Sequence, residues 1–313
     1  MKYLIGIDVG GTSVKNGLFT ENGDLLDKWE IPTRTENNGE NILPDIAKAI
    51  DEKLAEKNID KSEVIGCGLG VPGPVNEEGV VQRAVNLGWG YFPLAEKAGE
   101  LFGIKAYGAN DANVAALGEA WKGAAAGYAN VVMVTLGTGI GGGIIVNGKI
   151  LTGCRGAGGE IGHMHVRDGE TKPCGCGNYG CIEQYASATG IARLARERLM
   201  ENDDESLLRH VGSVSAKDVF DAIKQGDEVA VEVGQRFGDY LGKALANIAC
   251  VVNPDAIVIG GGVSKAGPVI FDYVKEPFEK NVFHACRQVD FLLAKLDNDA
   301  GIYGCAKLAL DKA

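Results

Sequence analysis

YLIGIDVGGTSVKNGLF, running from Tyr3 to Phe19, is the stretch whose reading decides the fold. Its apolar start through Val9 reads as a strand, Gly10-Gly11-Thr12 as a turn, and Val14 to Phe19 as a returning strand, which makes a β-hairpin with a glycine tip. The same design returns at NVVMVTLGTGIGGGIIV, from Asn130 to Val146, where a β-branched run enters a glycine-rich turn and leaves as a second strand. A weak repeat so much longer than a solenoid period suggests a duplicated domain with a ligand held between the copies.

Around the two hairpins the periodicities alternate. Apolar Ile42, Leu43, Ile46, Ala47, Ile50 and Leu54 fall at helical spacing, with Pro44 tolerated near the first turn, so Glu40 to Lys57 is a predicted helix. Val64 to Val71 is a predicted buried strand. Glu183 to Met200 reads as helical, Ser215 with Asp218 as a capping signature, and Asp227 to Val252 as a long helix. Asp255 to Ile259 reads as a strand that enters Gly260-Gly261-Gly262, after which a helix is expected near Ala266. Gly301 to Leu310 is the last helix. The repeat places the domain break near residues 117 to 123. The expected domains are residues 1–117 together with about 298–313, and residues 118–297.

At 313 residues, two domains are the natural expectation, and 45% hydrophobic with 23% charged residues is the composition of a soluble globular protein. A net charge of −11 argues against a nucleic-acid-binding role, which needs clustered Lys and Arg. Met1-Lys2-Tyr3 leads straight into the first strand with no secretory h-region, so a cytoplasmic setting is expected. The uncharged window from Gly123 to Gly148 is broken by glycines and suits a hairpin rather than a membrane span. Eight cysteines in such a setting point to metal ligands or small core residues. Cys67, Cys154, Cys250, Cys286 and Cys305 are scattered and read as small hydrophobes.

Backbone N–H groups bind phosphates, and glycine lets the main chain approach the anion closely. Gly10-Gly11-Thr12, the run from Gly137 to Gly143, and Gly260 to Gly262 have this character, although each taken singly also reads as a plain turn. Asp8, just before the first tip, suits a carboxylate facing Mg²⁺ between itself and the phosphates, or a residue that merely caps the hairpin. Lys15 reads as a solvated lysine. No G-x-x-x-x-G-K-[ST] loop and no strand-borne G-x-G-x-x-G with a downstream ribose acid is present, which disfavours P-loop and Rossmann folds.

Gly108-Ala109-Asn110-Asp111 ends a strand and opens a helix reaching Trp121. Asp111 there is either an N-cap or an ionised carboxylate able to take a proton from a hydroxyl, with Asn110 offering a donor and an acceptor beside it. Further on, His163 and the CGCGNYGC run place one imidazole and the thiols of Cys174, Cys176 and Cys181 in a Cys₃His set typical of closed structural zinc sites. His165 is a rival ligand, and a disulfide with a spare cysteine is the competing reading.

Gly6-Ile7-Asp8-Val9-Gly10-Gly11-Thr12 with Gly137-Thr138-Gly139 resembles the phosphate loops of the actin-like ATPase and sugar kinase superfamily. The resemblance narrows to the ROK family through Gly70-Val71-Pro72-Gly73-Pro74, Asn86-Leu87-Gly88-Trp89, Asn110-Asp111, Glu160 with His163, the cysteine run ending in Glu183, and Gly260-Gly261-Gly262-Val263. It implies an α/β fold of the actin-like (ribonuclease H-like) kind, with two domains, each a mixed β-sheet flanked by helices, and an active site in the interdomain cleft. It further implies ATP-dependent phosphorylation of a hexose at its 6-hydroxyl, the pattern being most like that of the family's bacterial glucokinases.

By that resemblance Gly10, Gly11, Thr12, Thr138 and Gly139 contact the phosphates, Asp8 the Mg²⁺, and Gly261 and Gly262 the adenosine end. Asp111 is the base. Asn110, Glu160, His163 and Glu183 hold sugar hydroxyls. Gly73 and Asn86 read either as closing another side of the pocket or as turn residues. His163, Cys174, Cys176 and Cys181 hold structural Zn²⁺. Mannose, fructose, allose and N-acetylhexosamines are alternative substrates, polyphosphate is an alternative donor, and homo-oligomers are common among relatives. The competing functions are a sugar-responsive repressor, which would carry a DNA-binding domain before the first hairpin, and a non-catalytic sugar sensor.

Overall fold

A computed structural model of the chain describes residues 1–313. It contains two five-stranded sheets. The first has the order β3-β2-β1-β4-β5, made of β1 (Tyr3–Val9), β2 (Ser13–Thr20), β3 (Leu25–Pro32), β4 (Val64–Val71) and β5 (Ala106–Asn110). β1 pairs antiparallel with β2 and parallel with β4, so this sheet is mixed. Gly10 N donates to Ser13 O at 3.0 Å and closes the glycine tip.

Alternation along β1 decides what each face does. Ile5, Ile7 and Val9 point into a core shared with Ile46 and Ile50 of α2 (Ile42–Lys57) and Phe102 of α3 (Leu94–Phe102); α1 (Glu36–Gly39) is a single irregular turn before them. Each fully buried aliphatic side chain of this kind contributes about 1.5–3 kcal/mol. Leu4, Gly6 and Asp8 occupy the opposite face, where Leu4 packs with Phe19, Ile302 and Ala306. Two helices pack together on that side: α4 (Asp111–Lys122) and α10 (Ala300–Lys312). They approach so closely that a Cβ at Gly304 would lie 1.6 Å from Val114 O.

The second sheet has the order β10-β9-β6-β7-β8, with β6 (Val131–Leu136), β7 (Ile140–Val146), β8 (Lys149–Ile150), β9 (Ala256–Gly260) and β10 (Asp290–Leu293). β9 is parallel to β6 and to β10, whereas β8 is antiparallel to β7. The flanking helices are α5 (Glu183–Ala186), α6 (Ala188–Glu201), α7 (Ala216–Lys224), α8 (Glu228–Val252) and α9 (Val269–Asn281). Ser215 and Asp218 form a reciprocal capping box on α7, and Asp227 caps α8.

Two expectations fail locally. The helix predicted from Glu183 to Met200 breaks at Ser187, whose backbone is extended (φ −76°, ψ 170°) and whose hydroxyl caps the next helix by accepting Gly190 N. The helix expected near Ala266 starts only at Val269, because a 3-10 turn (Gly262–Ala266) is followed by Gly267 at φ 88° and by Pro268. Cys154 and Cys250 are exposed rather than packed inside, whereas Cys67, Cys286 and Cys305 are buried.

The chain forms two compact units: Met1–Ala129 with Gly143–Gly159 and Lys295–Ala313, and Asn130–Gly142 with Glu160–Ala294. The last helix thus belongs to the first unit. No helix is long and apolar enough to cross a membrane.

Candidate active site

In the first unit, strand alternation turns Asp8 toward α10, and a Cβ at Gly301 would stand only 2.6 Å from Asp8 Oδ2. The carboxylate therefore sits against the first turn of that helix. Burial pushes its pKa up to about 6, the charge of Asp111 pushes the same way, and Lys15 opposes both. Lys15 itself reaches Asn298 O at 3.4 Å. The tip beyond Asp8 is fixed by a residue the sequence did not single out: Thr33 donates its hydroxyl to Gly10 O at 2.7 Å and its amide to Thr12 O at 2.9 Å. Asn86 lies beside the same tip, 3.7 Å from the position of a Gly11 Cβ.

At the start of α4 the two polar neighbours divide their tasks. Asn110, not Asp111, is the N-cap; its Oδ1 accepts Asn113 N at 3.1 Å and its Nδ2 donates to Gly73 O at 3.1 Å. Gly73 adopts φ 86° and faces Arg83 O, so no side chain fits there. Asp111 is exposed, with Oδ1 accepting its neighbour Ala112 N at 2.8 Å. Two carboxylates, one enclosed and one open, thus share this part of the unit.

In the second unit, Gly137, Thr138 and Gly139 form the turn between β6 and β7, with Gly137 N donating to Gly139 O at 3.0 Å. Gly261 (φ 81°) lies against Leu136, since a Cβ there would be 2.6 Å from Leu136 O. Gly262 begins the 3-10 turn that follows.

His163, Cys174, Cys176 and Cys181 come together, one ligand atom from each lying within 4.8 Å of the others. Cys176 Sγ is 3.7 Å from Cys181 Sγ, and Cys174 Sγ is 3.7 Å from His163 Nδ1. A tetrahedral zinc with bonds near 2.3 Å has ligand edges of about 3.8 Å, so the donor set fits that ion. The knuckle is a tight hairpin in which Cys174 N donates to Asn178 O at 2.7 Å, with Gly177 and Gly180 at positive φ. His165 lies outside the set, its ring nitrogens occupied at 2.9 Å by Tyr179 O and by Asp168. Glu160 stands 4.0 Å from His163 Nε2, on the side of the ring away from Cys174. Glu183 Oε2 accepts Ile140 N at 2.9 Å.

Residues 4–312 match the ROK family. The chain belongs to the ROK family. This ROK protein is 45% identical to a glucokinase of Halalkalibacterium halodurans over 97% of its own length and 93% of that protein. It superposes on a ROK hexokinase from Thermus thermophilus with a TM-score of 0.83 at 30% identity, covering 99% of this chain and 98% of that one. A ROK family glucokinase from Streptomyces griseus, in complex with glucose and AMPPNP, matches with a TM-score of 0.75 at 33% identity over 99% of both chains. The two mixed sheets with flanking helices are those of ROK sugar kinases, of the actin-like ATPase fold.

Proposed function

We propose that this protein is an ATP-dependent glucokinase, which transfers the γ-phosphate of ATP to the 6-hydroxyl of glucose. The observation that carries this reading is the pair of unlike carboxylates in the first unit. Asp8 is enclosed beside a glycine tip, and Asp111 is open at a helix start with its charge felt by Asp8. Phosphoryl transfer needs one carboxylate for the metal on the phosphates and another for the attacking hydroxyl.

In this reading the N–H groups of Gly10, Gly11 and Thr12 face phosphate oxygens, Thr138 and Gly139 do likewise from the second unit, and Gly261 and Gly262 take the adenosine end. Asp8 would hold Mg²⁺, which would supply neutralisation of the charge on the phosphates. Asp111 accepts the proton of the 6-hydroxyl while the sugar's hydroxyl oxygen forms the bond to the γ-phosphorus; the bond from the γ-phosphorus to the β–γ bridging oxygen breaks and ADP leaves.

Asn110 from the first unit and Glu160, His163 and Glu183 from the second are the sugar-hydroxyl contacts in this reading, with Gly73 and Asn86 as further sugar contacts from the first unit. His163, Cys174, Cys176 and Cys181 hold zinc, which supplies rigidity, since four protein ligands leave no open coordination position. With Nδ1 engaged there, the His163 imidazole carries its proton on Nε2, the nitrogen facing Glu160, and can donate it to a hydroxyl.

ADP release from Mg-ATP with a panel of hexoses, and Asp111→Asn as control, tests the assignment. Glucose-dependent turnover that the control loses is the expected result. Turnover with a different hexose alone removes glucose as substrate, and no turnover with any hexose removes the kinase assignment.

A further inference from the structure

Each oxygen of the half-buried Glu183 carboxylate has a contact, and the two contacts lead to different elements. Oε2 accepts Ile140 N at 2.9 Å, while Cys174 Sγ lies 3.4 Å from Oε1. The Gly137–Ile140 turn closes directly on this carboxylate: a Cβ at Gly139 would fall 2.1 Å from Oε2, so any side chain there would displace it. The same short segment grips the turn twice more. Ala188 N donates to Gly137 O at 2.8 Å, and the Thr189 hydroxyl donates to Thr138 O.

Those two contacts exist because the helix breaks at Ser187, whose hydroxyl donates back to Glu183 O at 2.6 Å. Residues 183–189 are therefore a bracket around the glycine turn. The bracket begins two residues after Cys181, and its leading side chain abuts Cys174.

We propose that Glu183 is a positioning residue through which the Cys₃His cluster sets the geometry of the Gly137–Ile140 turn, so that metal occupancy governs nucleotide affinity as well as the sugar pocket. This rests on the reading given above of the cluster as a zinc site and of the turn as a phosphate loop. The physical step is short. Zinc fixes Cys174 and Cys181, and the backbone running from Cys181 through Ile182 then fixes where Glu183 stands. The carboxylate in turn fixes the direction of the Ile140 amide and the backbone just before it. Without the ion, Cys181 and the backbone leading from it to Glu183 are no longer anchored, and the carboxylate has a second position available.

The test is amide hydrogen exchange at Ile140, with Val134 in β6 as an internal control, on the zinc-loaded full chain and after zinc removal by a chelator. Zinc removal is expected to speed Ile140 exchange about fivefold, the effect of losing one hydrogen bond of roughly 1 kcal/mol, with Val134 unchanged. Glu183→Ala in the zinc-loaded protein should reproduce that change, and chelation should add nothing further to it. Glu183→Gln, which keeps an acceptor oxygen for Ile140 N, should restore most of the protection. Calorimetric titration with Mg-AMPPNP, without hexose, should show weaker binding wherever Ile140 exchanges faster.

Ile140 protection that survives zinc removal overturns the coupling, even if Glu183→Ala fails to fold. Faster Ile140 exchange with unchanged nucleotide affinity confirms the link from cluster to turn and instead removes the phosphate-loop assignment.

Discussion

Asn113 donates its backbone amide to Asn110 Oδ1 at 3.1 Å, and this contact gives the capping of α4 to Asn110. Asp111, one position on, sits in the first turn of α4, where the exposed N–H groups favour a negative charge. Neighbours that look interchangeable in sequence therefore differ in what they support. Asp111→Asn should lower kcat by at least about a hundredfold, the range of a lost general base, with little change in Tm. Asn110→Ala should cost about 1 kcal/mol of stability through the lost cap and, in addition, raise the KM for hexose. Thermal unfolding alongside steady-state kinetics separates the two; equal losses of stability in both variants would contradict the division of labour.

Gly301 is the other constraint on the first unit. Alanine there would put a methyl group 2.6 Å from Asp8 Oδ2, so the carboxylate or the start of α10 must move. Gly301→Ala should therefore raise the KM for Mg-ATP more than the KM for hexose. In a double-mutant cycle with Asp8→Asn the two effects should be strongly non-additive, since both act on one contact. Additive effects on Mg-ATP binding would show that α10 does not position Asp8.

Asp8 also gives a stability signature that is independent of turnover. Its pKa is raised from 3.8 to about 6, chiefly by burial, so the folded protein binds this proton more tightly than the unfolded chain. The corresponding stability is fully present below pH 3.8 and is lost as pH rises through about 6. Without Mg²⁺ and nucleotide, Asp8→Asn should be more stable than the wild type at pH 8, by roughly 2–3 kcal/mol for a shift of this size. That advantage should shrink as pH falls and vanish near pH 4. Denaturant unfolding at several pH values measures it; a pH-independent difference would mean that the ionised carboxylate is not the source.

The hairpin from Tyr3 to Thr20 was legible because alternation and a glycine tip are local signals, and the Ser215 box and the Asp227 cap are local as well. The cysteine run was legible because its spacing by itself limits where the thiols can go. The break at Ser187 was not, since the apolar period continues through it and the stabilising partners, Gly137 and Thr138, lie about fifty positions away in sequence. Thr33 was missed for the same reason: nothing around it announces that it holds the turn at Gly10 and Thr12. Exposure of Cys154 and Cys250 is set by tertiary packing, which composition cannot show.

The loop carrying the cysteines has a second anchor, made of Glu170, Tyr185 and Arg193. Glu170 accepts the Tyr185 hydroxyl at 2.5 Å, Arg193 Nη2 at 2.6 Å and the amides of Thr171 and Lys172 at 2.9 Å. Burial alone would raise its pKa, but these donors outweigh burial and hold it at about 2. The stability it contributes is present above its unfolded value of 4.5 and is lost as pH falls toward 2. Glu170→Gln should thus destabilise the protein by roughly 2 kcal/mol at neutral pH, the range for hydrogen bonds to a charged group, with the deficit shrinking below pH 4.5. A deficit that persists unchanged to pH 3 would show that packing, not the charge, is what the substitution removes.

His163 and His165 make opposite predictions for the metal. Only the first lies among the three thiols, with Nδ1 3.7 Å from Cys174 Sγ, whereas both nitrogens of the second are already engaged. His165→Ala should therefore keep about one zinc per chain, as a closed site requires. His163→Ala and Cys176→Ser should lose the zinc, lower Tm, and raise the KM for hexose together, because the ion holds the loop that ends at Glu183. Metal content, thermal unfolding and hexose kinetics on the three variants check this. Zinc kept by His163→Ala and lost by His165→Ala would exchange the two ligands, and zinc loss with hexose affinity intact would detach the metal from the sugar site.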